Sequence, residues 1–149
     1  MTYRKVLLRN GIRLNYIDTN VIISFLNIRD VNHARAVKVF DNKDQMITSP
    51  VTVLEIKSVL SRSTNLSEDE IEAFIDYLPE INVAVPEVNM DKIINNSIEI
   101  AVRVRMKTLD ILHISASMML EADTFVTFDS EFTAKEKEIA NFGLRIDSG

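Results

Sequence analysis

Short runs that are apolar on both faces recur along this chain, and most lead straight into a helical pattern. LNYID (14–18) runs into TNVIISFLN, QMIT (45–48) into SPVTVLEIKSVLSR, and TFVTFD (124–129) into SEFTAKEKEIANF. INVAV (81–85), stopped by Pro86, and a segment near Leu144–Ile146 read as two further strands. Apolar residues at helical spacing predict helices over about 31–43, 67–78, 90–106 and 108–121. Ser49 ahead of Pro50, and Ser67 ahead of three acids, read as helix starts. The last helix is apolar nearly all round and belongs at the centre of a domain, with Met118 and Met119 as core filling.

Strands buried on both faces and alternating with helices imply a three-layer α/β/α sandwich around a parallel sheet. In such sheets the binding crevice lies beyond the carboxyl ends of the strands. Asp18 ends the first strand and Asp129 follows TFVTF, so both face that crevice, although aspartate at a strand-to-helix junction is also a preferred N-cap. Glu55 interrupts an apolar helical stripe, which is costly unless the carboxylate reaches water, pairs with Lys57 or Arg62, or meets a cation. Asp110 lies in the central helix, where it either serves the helix dipole behind a Thr108 cap or joins the other acids. Four carboxylates in one crevice repel, and without a cation some must take up protons. A divalent ion resolves the conflict and suits the site to orienting water against a phosphodiester.

Composition narrows the chemistry. The 149 residues suit one domain, and no repeat, low-complexity tract or linker divides them. With no cysteine and only His33 and His113, thiolate catalysis and cysteine zinc sites are excluded and histidine-rich metal sites disfavoured, which leaves a hard cation such as magnesium or manganese. Basic residues cluster at Arg4, Lys5, Arg9 and Arg13 and at Arg103, Arg105 and Lys107, as phosphate contacts or as solvated faces. A net charge of −5 argues against a sequence-independent nucleic-acid binder but not against a nuclease, because metal-site acids count in it. No apolar run is long enough for a membrane span, and Arg9, Asn10 and Arg13 break any signal-peptide pattern, so a cytoplasmic protein is expected.

Taken in order, Asp18-Thr19-Asn20, Glu55 in SPVTVLEIKSVL, Asp110 in LDILHISAS, and Thr127 with Asp129 in TFVTFD resemble the four motifs of the PIN-domain family. The likeness extends to the small VapC-like ribonuclease toxins of prokaryotic toxin–antitoxin pairs. The resemblance implies one PIN domain over 1–149, with residues 1–13 as an N-terminal extension. It implies that Asp18, Glu55, Asp110 and Asp129 bind Mg2+ or Mn2+ and cut RNA. Thr19, Asn20 and Thr127 would then orient the acids, with Glu131 as an accessory outer ligand. His113 is read as a packed, hydrogen-bonded core residue rather than a base. An antitoxin partner and a homodimer, formed through helices near 21–40, are implied as well. An RNA-processing nuclease, or a weakly catalytic RNA-binding scaffold outside such a pair, is the alternative. Phosphotransfer enzymes of similar fold fit less well, since the haloacid-dehalogenase phosphatases want aspartate where Asn20 stands and receivers want a lysine that TFVTFDS lacks.

Overall fold

Period-two alternation within each strand separates two cores. Tyr16 and Phe125 face one side of the sheet, while Ile17 and Val126 face the other. The computed structural model describes residues 10–149, so most of the expected extension, with Arg4, Lys5 and Arg9, lies outside the described residues. β1 (Leu14–Ile17) is followed by α1 (Thr19–Leu26), α2 (His33–Phe40) and β2 (Gln45–Ile47). Then come α3 (Pro50–Ser63), α4 (Glu68–Asp76), a 3-10 turn (Leu78–Ile81) and β3 (Val83–Ala84). α5 (Met90–Val104) and α6 (Thr108–Met119) lead to β4 (Thr124–Val126), and α7 (Ser130–Ala134) and α8 (Glu136–Ala140) to β5 (Arg145–Asp147).

All strands run parallel in the order β3-β2-β1-β4-β5. The chain winds outward from β1 to β3, then crosses back to β4 and β5. The carboxyl ends of β1 and β4 are therefore a switch point, where connections leave in opposite directions and open a crevice. Val21, Val39, Ile56, Leu60 and Ile71 cover one face from α1–α4. Ile93, Ile100, Ile114, Phe132 and Ile139 cover the other from α5–α8. Both faces are thus removed from water, as the three-layer sandwich requires.

Several local expectations need correction. Thr108 is the first helical residue of α6 rather than its cap; Lys107 holds the cap position and offers no side-chain hydrogen bond. Ser49 occupies the cap position of α3 but does not cap it, because its hydroxyl lies 2.6 Å from the Tyr16 hydroxyl. SEFTAKEKEIANF is two short helices that break at Lys135. Ile81 belongs to the 3-10 turn, which Asn82 ends in the left-handed conformation, so β3 keeps only Val83 and Ala84. Met118 packs against the core, whereas Met119 is 41% exposed at the end of α6.

Candidate functional site

Asp18 is the first residue past β1, and its backbone N–H donates to Val126 O at 2.9 Å, tying the ends of the two central strands together. Its carboxylate is buried, accepting from Thr19 N at 2.8 Å through Oδ1 and from the Thr127 hydroxyl at 2.7 Å through Oδ2. Thr127 Oγ1 in turn accepts from Asp129 N at 3.0 Å, and Asp129 Oδ1 accepts from Glu131 N at 2.9 Å. Asn20 Oδ1 accepts from Phe128 N at 3.2 Å. One threonine thus fixes both strand-end acids, and one asparagine fixes the residue between them. Asp18 and Asp129 also cap α1 and α7, so capping and convergence are the same geometry.

Glu55 and Asp110 arrive from α3 and α6. Glu55 pairs with neither Lys57, which bridges Glu72, nor Arg62, whose Nε donates to Ser58 O. It meets His113 instead, with Oε1 3.2 Å from Nε2. The same nitrogen is 3.9 Å from Asp18 Oδ1, and Nδ1 is 2.9 Å from the Tyr16 hydroxyl. His113 is fully packed and hydrogen bonded at both ring nitrogens. Tyr16, unremarked in the sequence, joins it to Ser49. A buried tyrosine needs a hydroxyl partner, and that need was the available signal.

Asp18, Glu55, Asp110 and Asp129 line one cavity of about 380 Å³, with Thr19, Asn20, Ile23, Asp30 and Asn32 among its other walls. Asp30 and Asn32, on the α1–α2 connection, carried no motif to mark them. Ligand atoms of Asp18, Glu55 and His113 lie within 4.8 Å of one another, and so do those of Asp110, Asp129 and Glu131. Glu131 does not line the cavity, and its carboxylate is 3.5 Å from Lys107 Nζ. A larger cavity of about 730 Å³ opens along the β3 edge, but only Asp44 and Asp76 bring carboxylates to it.

The electrostatics follow from crowding. Burial raises the Asp18 carboxyl above its ordinary value, against the pull of His113 and Thr127. Burial also raises Asp110, and Asp129, Asp18 and Glu131 push it further, to about 6. Burial works against Glu55 too, yet the His113 hydrogen bond holds it below the usual range. Burial opposes a charged His113, but Tyr16, Glu55 and Asp18 raise it to about 10, which favours the charged ring. Among the described residues, no lysine or arginine pairs with Asp18, Glu55, Asp110 or Asp129. Thr19 Oγ1, buried in the same wall, has no hydrogen-bond partner. Four carboxylates that share one histidine as their cation, beside a buried hydroxyl without a partner among the described residues, fit an oxygen-liganded divalent cation.

Comparison with known proteins identifies the family and the fold. The family model described as "PIN domain" matches residues 16–138. No curated protein sequence matches the chain. VapC20 of Mycobacterium tuberculosis, a sarcin–ricin loop cleaving toxin, superposes with a TM-score of 0.65 at 20% identity, over 80% of this chain and 93% of its own. VapBC2 from Rickettsia felis, solved bound to a DNA fragment from its promoter, gives 0.63 at 16% identity, over 89% and 98%. VapBC-1 from nontypeable Haemophilus influenzae gives 0.61 at 20% identity, over 90% and 96%. At these identities the likeness is one of fold.

Proposed function

The chain belongs to the PIN-domain family, and from that premise we propose that it is a metal-dependent endoribonuclease, the toxin of a toxin–antitoxin pair. One observation carries the reading: Asp18, Glu55, Asp110 and Asp129, from four separate chain segments, line a single cavity, and among the described residues no lysine or arginine neutralises them. Capping accounts for Asp18 and Asp129 but not for Glu55 and Asp110, which a scaffold has no reason to turn inward.

In this reading the four acids hold Mg2+ or Mn2+, with Glu131 as an outer ligand. A bound divalent cation supplies a water nucleophile at neutral pH and stabilises charge on phosphate oxygens. The chain's own residues do the positioning. Thr127 fixes one oxygen of Asp18 and the backbone at Asp129, so these two acids keep their separation. His113 holds Glu55 from behind and balances one of the two carboxylates it faces. Among the described residues no hydrogen bond holds the Asp110 carboxylate, which leaves its oxygens to a ligand.

The substrate is RNA, met in the cytoplasm, and the VapC20 and VapBC neighbours support a toxin with an antitoxin partner. The domain spans the whole chain, with residues 1–13 as an extension, and it works as a homodimer. Ile28, Val31 and Val37, exposed on and before α2, support the 21–40 region as the contact. Purified protein should cleave RNA with Mg2+ or Mn2+, lose activity in EDTA, and regain it on adding metal back. Asp110→Asn should remove cleavage while the far-UV circular dichroism stays the same. Full activity in EDTA, or in a contaminant-free Asp110→Asn preparation, would overturn the reading. The toxin role predicts that induction in a bacterial host arrests growth, that the Asp110→Asn form does not, and that co-expressing an adjacent small reading frame relieves the arrest.

A further inference from the structure

A carboxylate pocket in a chain of net charge −5 repels a polyanion, so RNA needs a cation placed beside it. Lys107, three residues before the cavity-lining Asp110, is bridged to Glu131. Arg35, on the first turn of α2, follows the cavity-lining Asn32 by three residues. Its guanidinium carbon lies 4.3 Å from the centre of the Phe128 ring, and one of its N–H groups donates to Ser148 O. Among the described residues no carboxylate pairs with it. From this geometry we propose that Arg35, shelved on Phe128, binds the RNA backbone phosphate that leaves the carboxylate pocket. The proposal rests on the nuclease reading and names a residue that recognises its substrate.

Two independent routes through the chain place this shelf at the pocket. Asn32, which lines the cavity, immediately precedes α2 and is three residues before Arg35. Phe128 is the residue between Thr127 and Asp129, with its N–H held by Asn20 Oδ1. The contacts that set the acids therefore also set the ring, and the ring sets the guanidinium. A cation stacked on an aromatic face loses less side-chain freedom on binding than a free one. The bond to Ser148 O uses one of the five guanidinium N–H donors and fixes the plane of the fork, and with Gly149 packed beside Nε the remaining terminal N–H groups are the ones left for phosphate oxygens. Arg35 and Lys107 come from opposite layers of the sandwich, α2 and the start of α6, and of the two only Arg35 is without a carboxylate partner among the described residues.

The test measures binding of a labelled single-stranded RNA oligonucleotide to the Asp110→Asn protein, with Mg2+ present, across a salt series. Adding R35A should weaken binding about tenfold and flatten log affinity against log salt by about 0.7, the signature of one lost phosphate contact on a single strand. R35K should restore the slope but not the full affinity, because it keeps the charge and loses the planar stack. In the otherwise native protein, R35A should raise KM and leave kcat nearly unchanged. A purely structural role would lower affinity without moving the slope. If R35A binds with unchanged affinity and slope while the native protein cuts RNA, the shelf is wrong and the nuclease stands. If binding depends on Arg35 but no condition yields cleavage, the nuclease reading falls and the shelf survives. Absence of RNA binding by the Asp110→Asn protein at low salt overturns the shelf.

Discussion

At the scale of single residues, the pocket is a set of charges arranged to be uncomfortable without a ligand. Asp110 is raised to about 6 in the folded protein, above its ordinary 3.8, because it is buried and the acids Asp129, Asp18 and Glu131 face it, against the pull of His113. A carboxyl raised in this way supports the fold when protonated, so that contribution is complete below about pH 4 and lost as pH rises through about 6. The full shift corresponds to about 3 kcal/mol, reduced by solvent screening on a half-buried group. Metal-free protein should therefore lose stability to urea between about pH 4 and 6, and Asp110→Asn should remove much of that loss. Identical pH profiles for the two proteins would show that the crowding costs nothing.

Tyr16 supplies a second residue-scale prediction. A charged His113 donates from both nitrogens, to Glu55 and to the Tyr16 oxygen, which leaves the tyrosine's proton for Ser49. Tyr16→Phe strands two buried groups and should cost about 1–3 kcal/mol in urea unfolding, with weaker cleavage as Glu55 loses its backing. A variant as stable as the parent would mean that the network is dispensable.

At the scale of elements, what could be read in advance depended on whether the deciding interaction was local. Ser67 caps α4 as its sequence suggests, since Ser67 and Glu70 satisfy each other's backbone N–H groups within one turn. Ser67→Ala should accordingly cost about 1 kcal/mol in chemical denaturation with kcat and KM unchanged. Ser49 carried an equally good local signal, yet its hydroxyl turned to Tyr16, 33 positions away. The same distinction runs through the site. Asp18 and Asp129 could be placed because a strand end fixes where the next residue points. The Glu55–His113 pairing spans 58 positions, and no pattern in α3 or α6 announces it. The Lys135 break was hidden because the apolar spacing of SEFTAKEKEIANF reads straight through it.

For the whole molecule, the parallel sheet and its two covered faces were legible because apolar strands led repeatedly into helices. Strand order was not, because a central β1 follows from which connections cross which face. The convergence of four acids depends on that order. If those acids hold a divalent ion, Mg2+ at about a hundred times its dissociation constant should add about 2.7 kcal/mol. Thermal unfolding should then move up by several degrees, roughly 3 °C per kcal/mol for a chain of this length. EDTA should reverse the rise, and Asp110→Asn should shrink it. An unfolding temperature indifferent to Mg2+ would leave the pocket without its ion.

β1 is made early and β4 late, yet they are neighbours at the centre of the sheet. On the ribosome, Leu14–Ile17 must wait with one edge bare until Thr124–Val126 emerges. The hydroxyl that steadies Asp18 arrives 109 positions after the aspartate itself. A half-translated copy thus carries Asp18, Glu55 and their first helices but cannot close them into a cutting centre. If the chain destroys RNA, the cell that makes it is spared during nearly the whole of elongation, and the enzyme becomes dangerous only as its last strands exit.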